Sequence, residues 1–123
     1  MPVHNAAPTL AAAVDSLVGQ TDPAWELVAV DDGSTDASGP MLEAYTRRDR
    51  RIRVIRAPRC GLVSALNAGL GAATGALVAR LDADDVCAPE RLARQRRHLE
   101  SRSEAGLVAS CVHFGGDPER AAG

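Results

Sequence analysis

Three carboxylates crowd into Asp82-Ala83-Asp84-Asp85, shortly after the apolar run Ala76-Leu77-Val78-Ala79. Acids at the end of a buried strand repel one another and are costly to desolvate unless a cation neutralises them. A ligand set made only of oxygen, with no histidine nearby, suits a hard divalent ion such as Mg²⁺ or Mn²⁺. A second acidic pair, Asp31-Asp32, follows another apolar run, Leu27-Val28-Ala29-Val30. As parallel strands, the two runs would bring both clusters to one sheet edge, where open α/β folds bind their ligands. The chemistry expected there is metal-assisted handling of a nucleotide.

A plainer reading stands beside this one. Aspartate favours turns and helix N-caps, so Asp82, Asp84 and Asp85 can also form an acidic turn that caps the next helix. Asp31-Asp32-Gly33-Ser34 taken alone is better explained as an Asx-type turn before a helix. The coincidence of two clusters at the ends of two strands is what favours the cation. Arg80 shares strand parity with Asp82 and is expected to pair with it in preference to a phosphate. His98 and His113 lack ligand spacing. The arginines at 91, 94, 96 and 97 alternate with Glu90 and Glu100, which describes a solvated helix face.

The elements that must position these acids alternate between helical and extended patterns. Pro8 opens a helix whose apolar face is Leu10, Val14, Leu17 and Val18. Glu26 to Val30 reads as a buried strand, and Pro40 opens a second helix carrying Met41, Leu42 and Tyr45. Arg51 to Arg56 alternates as a half-exposed strand. Gly61 starts a third helix with Leu62, Leu66 and Leu70 as its core face, ended by Thr74-Gly75. Ala76 to Leu81 reads as the next strand, Pro89 opens an arginine-rich helix, and Leu107 to Val112 reads as a last strand. Strands separated by helices imply an α/β fold, a doubly wound, mostly parallel sheet with helices on both faces. Only Pro2-Val3 precedes the first helix, so a first strand of about five residues is expected to be missing or supplied differently. The sheet, and with it the chain, reads as incomplete.

The 123 residues make one domain, and 46% hydrophobic with 24% charged residues argues against disorder. A net charge of -2 and 2% aromatics remove both the basic face and the stacking platform of a nucleic-acid binder. Cys60, Cys87 and Cys111 are odd in number and lack metal spacing, which fits reduced residues of a cytoplasmic protein. No apolar stretch approaches the roughly 20 residues that cross a bilayer, and the first residues have no signal-peptide pattern. With no lysine in the chain, a Walker A loop is excluded. Gly69-Leu70-Gly71-Ala72-Ala73-Thr74 only partly matches the dinucleotide fingerprint, and it ends a helical pattern where the fingerprint should join a strand to a helix.

Pro2-Val3-His4-Asn5, Val30-Asp31-Asp32-Gly33-Ser34-Thr35-Asp36, Gly61-Leu62 with Ala65-Leu66-Asn67-Ala68-Gly69, Thr74-Gly75 and Arg80-Leu81-Asp82-Ala83-Asp84-Asp85 occur in that order. Pro89-Glu90-Arg91-Leu92 follows. Each motif alone is weak, but the ordered set resembles the nucleotide-binding half of a family 2 glycosyltransferase with the GT-A (Rossmann-like) fold, from Met1 to about Val112. The resemblance implies a nucleotide-sugar-binding part over 1–114 and a loose tail over 115–123, with the acceptor part beyond the chain.

Roles follow from the resemblance position by position. Pro2, His4 and Asn5 match the turn that lines the nucleotide pocket, where tyrosine is usual at the His4 position. Asp31 and Asp32 match the pair that binds base and ribose, with Asp32 the base contact. Asp82, Ala83 and Asp84 match the DXD motif, in which Asp82 and Asp84 hold Mg²⁺ or Mn²⁺ against the donor's diphosphate. Many relatives carry arginine where Leu66 stands. The family's catalytic aspartate lies in a later segment, so no catalytic residue is assigned here. The implied activity is metal-dependent, inverting transfer of a sugar from a nucleotide-diphosphate donor to an acceptor hydroxyl. The acceptor is a saccharide, lipid or protein that the chain does not specify. The setting implied is cytoplasmic, with the inner face of the membrane as the alternative. The competing reading is a nucleotide-sugar-binding fragment without catalysis.

Overall fold

Leu27-Val28-Ala29-Val30 is apolar on both pleat faces, as a strand sandwiched between helices must be. In the computed structural model, which describes residues 1–112, this run lies in strand β2 (Leu27–Asp32), buried along its whole length. β2 is flanked by β1 (Pro2–Val3) and β3 (Ile52–Ala57), both parallel to it. Pro2 faces Val30 and Val3 faces Asp31 across one ladder, while Asp32 faces Ala57 across the other. β1 has two residues, against the about five expected of a first strand. The expected tail at 115–123, the domain limit at 114 and His113 lie outside the described residues.

The sheet carries helices on both faces, as expected. Helix α1 (Ala7–Val18) and helix α2 (Ser38–Arg48) cover one side. Proline in its first turn and an alanine-rich body suit α1 to helix, and Leu10, Ala13, Val14 and Leu17 form the buried stripe. Val18, expected on that stripe, is exposed, and Ala13 takes its place. α2 begins two residues before Pro40, where Asp36 Oδ1 accepts the Ser38 N–H at 2.9 Å. These helices pack Leu10, Val14 and Leu42 against Leu27, Ala29 and Ile52.

Helix α3 (Leu62–Ala72) covers the other side, but not through its leucines. Leu62 and Leu70 are exposed, and the side facing the sheet is Ala65, Gly69 and Ala72. A Cβ on Gly69 would lie 3.4 Å from Val30 Cγ2, so small residues are what let this helix approach β2. Helix α4 (Arg91–Ser101) buries no residue, in keeping with its charged sequence.

Two expected strands are absent among the described residues. Ala76–Leu81 and Leu107–Val112 adopt no regular structure. β1 is too short to offer either run an edge to pair with, and Leu77, Val78, Leu107 and Val112 are left exposed. The acidic loop is instead seated by side chains: Leu81, Ala83 and Cys87 enter the core beside α1. No helix among the described residues is long and apolar enough to cross a membrane.

Candidate functional site

Successive side chains of a strand point to opposite faces of the sheet, so neighbouring acids at the end of β2 cannot share one site easily. Asp32 faces the α3 side. Its Oδ1 accepts the Cys60 N–H at 2.7 Å and the Cys60 thiol at 3.1 Å, and its Oδ2 accepts the Gly61 N–H at 2.9 Å. These donors, the Cys60 N–H foremost, hold its pKa below the ordinary carboxylate value. The same contact pushes the Cys60 thiol up, away from nucleophilic use.

Asp31 faces the α2 side. Its Oδ1 accepts the Ser34 N–H at 3.0 Å in an Asx turn, and its Oδ2 lies against Gly39. It lines a separate cleft of about 270 Å³ with Ser34 and Arg56. The structure therefore does not bring Asp31 together with the other candidate residues.

The other seven come together. Pro2, His4, Asn5, Asp32, Asp82, Ala83 and Asp84 line one open cleft of about 630 Å³ at the C-terminal edge of the strands. His4 Nδ1 lies 2.8 Å from the carbonyl oxygen of Asp32. That oxygen can only accept, so Nδ1 carries the proton and Nε2 is left as an acceptor facing Asn5 Nδ2 at 3.4 Å. Asn5 adopts a left-handed φ of 49°. Its Oδ1 accepts from the Thr35 N–H at 2.8 Å and the Asp36 N–H at 3.3 Å, which ties the first turn of the chain to the turn after β2.

On the far wall, Arg80 grips Asp82 with Nε at 3.0 Å and Nη2 at 2.9 Å, as strand parity suggested. Asp84 is exposed, and no donor among the described residues takes its carboxylate. No group of three His, Cys, Asp or Glu side chains converges to cage a metal among those residues. A cation that shares its coordination with phosphate and water needs only one or two protein carboxylates, however, and Asp84 with Asp82 fits that donor set.

Sequence reading missed Arg59. It is the one cation lining the cleft among the described residues, on the same wall as Gly61 and Asp32. No periodicity or motif marks it. Its only signal is its place just past the end of β3, on the sheet edge that carries the acids.

Comparison with known proteins agrees with this architecture. A family profile described as Glycosyl transferase family 2 matches residues 1–122. The uncharacterized glycosyltransferase EpsJ of Bacillus subtilis is 42% identical over 85 residues, which is 69% of this chain and 25% of that protein. S. aureus TarS 1–349, solved with UDP-GlcNAc, superposes with a TM-score of 0.75 at 28% identity, over 81% of this chain and 30% of its own. The mannosyltransferase PcManGT of Pyrobaculum calidifontis, solved with GDP-Man and Mn²⁺, gives a TM-score of 0.73 at 30% identity, over 80% and 30%. The chain thus spans under a third of the length of each of these relatives.

Proposed function

This chain belongs to glycosyl transferase family 2, and from that membership we propose that it forms the nucleotide-sugar-binding part of a GT-A enzyme. The enzyme transfers a sugar from a nucleotide-diphosphate donor to an acceptor hydroxyl with inversion. The observation that carries this reading is that Asp32 and Asp84, remote in sequence, line one cleft. The donor complexes of TarS and PcManGT support it by likeness.

The Asp32 carboxylate accepts an N–H of the base, since its charge is already fixed by the Cys60 and Gly61 donors. Pro2, His4 and Asn5 form the floor beside it. Arg59 adds positive charge to a cleft that also holds the carboxylates of Asp32, Asp82 and Asp84. Asp84, with Asp82, holds Mg²⁺ or Mn²⁺, and the ion when bound offsets the negative charge that develops on the departing diphosphate. Ala83 keeps the loop between them close to the core, being only 8% exposed. The acceptor oxygen attacks the anomeric carbon from the face opposite the leaving group, and the bond from that carbon to the diphosphate breaks. The hydroxyl proton passes to a base other than the carboxylates of this cleft. A cytoplasmic setting is part of the proposal, supported by three free cysteines.

A second reading, donor binding without transfer, is favoured by one observation. Among the described residues, Asp32 and Asp82 are held by protein donors, so with Asp84 given to the cation no carboxylate of the cleft is left to deprotonate an acceptor. Titration of the full-length protein with UDP and with GDP, followed by transfer assays on saccharide, lipid and peptide acceptors, separates the two. Binding with transfer supports the enzyme, binding without transfer supports the second reading, and absence of nucleotide binding overturns both.

A further inference from the structure

The acidic loop has no strand ladder to hold it, yet Asp82 and Asp84 must face the cleft reproducibly if they are to share a cation with a diphosphate. The segment that follows them is fixed by a buried polar cluster at the end of α1. Gln20, just past the helix, is 8% exposed, and its amide is satisfied on both sides. Its Nε2 donates to the carbonyl oxygens of Ala88 at 2.8 Å and Ser16 at 3.1 Å, and lies 3.4 Å from Cys87 Sγ. Its Oε1 accepts the Leu92 N–H at 3.0 Å. That N–H is one of the first-turn donors of α4 that no intrahelical carbonyl reaches, and the N-cap residue Glu90 supplies no side-chain bond of its own.

Two neighbours reinforce the staple. Ser16 Oγ accepts the Cys87 N–H at 3.1 Å, and the Thr21 N–H donates to the Pro89 carbonyl at 2.9 Å. One turn further along α4, Arg96 pairs at 2.8 Å with Asp22, whose side chain is 5% exposed. The span from Cys87 to Arg96 is thereby held by polar contacts from four residues, Ser16, Gln20, Thr21 and Asp22. An apolar side chain at position 20 would leave the half-buried Leu92 N–H without its partner and the Ala88 carbonyl with only the Arg91 N–H at 3.0 Å, and the loop would shift to rewet them.

We propose that Gln20 is a positioning residue for the cation-carrying loop: it staples Ala88 and Leu92 to the end of α1 and so sets where Asp82 and Asp84 stand in the cleft. This rests on the reading of that loop as the cation site. Supporting groups that orient metal ligands typically carry about 10- to 100-fold in metal affinity, although Gln20 acts here through the backbone.

The test uses the full-length protein with Gln20→Leu, and Ser16→Ala as a milder second variant should the first fail to fold. Amide exchange is measured over residues 82–92 and over β2, and UDP binding is measured with Mn²⁺ and with chelator. The expected result is faster exchange in 82–92 with β2 still protected, metal-free UDP affinity unchanged, and the Mn²⁺-dependent gain cut about tenfold or more. Unchanged exchange in 82–92 overturns the staple. Equal loss of UDP affinity with and without Mn²⁺ overturns the positioning role, because it marks general damage. A parent protein that shows no Mn²⁺ gain defeats the cation reading itself, while the exchange arm still reports on the staple.

Discussion

The Asp32 carboxylate receives the Cys60 N–H at 2.7 Å, which binds the end of β2 to the start of α3 at the wall of the cleft. The thiol of Cys60 and the N–H of Gly61 complete the set. Three of the roughly four acceptor positions of a carboxylate are thus filled, which leaves about one for a ligand N–H.

Asp32→Asn would turn an NH₂ group toward donors that already point at the site. Nucleotide affinity in the full-length protein is expected to fall about tenfold or more, with a lower melting temperature. Asp31→Asn keeps the oxygen that accepts the Ser34 N–H and lies outside the cleft, so affinity should stay within about threefold. Calorimetry on both variants checks this. Equal losses would mean that the two acids work as one site.

Gly33 has φ +67°, and a Cβ there would sit 2.9 Å from the Arg59 backbone nitrogen. Gly33→Ala should cost at least about 1–2 kcal/mol in denaturant unfolding from the left-handed backbone alone. It should also push the Arg59–Gly61 turn off Asp32 and weaken nucleotide binding. Gly71→Ala, in α3 with nothing within 4 Å of the added methyl, is the control and should gain ~0.5–1 kcal/mol. Similar stabilities for the two variants would contradict the close approach of the turns.

Glu26 gathers the Thr74 N–H and hydroxyl, the Gly75 N–H and Arg53, and the bonds from Thr74 first and then Arg53 lower its pKa from 4.5 to about 2. A carboxyl whose folded pKa is depressed contributes stability above its unfolded value and loses it as pH falls toward the folded one. The contribution should therefore be complete above pH 4.5 and fade between there and about 2. Denaturant midpoints followed across that range should fall less steeply for Glu26→Gln than for the parent protein. Identical acid limbs would show that this cluster does not tie α3 to the sheet.

Arg80 holds both oxygens of Asp82, and the two side chains are 59% and 36% exposed. An arginine in this position competes with any cation for the same carboxylate. Arg80→Gln should raise Mn²⁺ affinity by about two- to fivefold, the size of an exposed ion pair. A lower affinity would make Arg80 part of the site and not a competitor.

Helices were legible because their signals are local. Pro8, Pro40, Gly61 and Pro89 each stand within two residues of a helix start. β2 was legible from its apolar run and β3 from the alternation of Ile52 and Val54 with arginines. The run at Ala76–Leu81 misled because strand formation needs a partner edge, and the two-residue β1 provides none for it. Leu62 and Leu70 misled because hydrophobicity does not say which side of a helix is approached most closely, and here the small residues Ala65 and Gly69 decide it. In the site, the acids stood out by clustering. Gln20 could not, since three of its partners lie 67 to 72 residues away. Asp31 was assigned with Asp32 by the resemblance, which matches both to the pair that binds base and ribose, and strand alternation places them on opposite faces.

The most direct test is calorimetric titration of the full-length protein with UDP, with and without Mn²⁺, beside Asp84→Asn. If the cleft joins a base-reading acid to a cation-holding one, Mn²⁺ raises UDP affinity in the parent by about tenfold or more. Asp84→Asn then removes that gain and leaves the metal-free affinity in place. A gain that survives Asp84→Asn undiminished would contradict it.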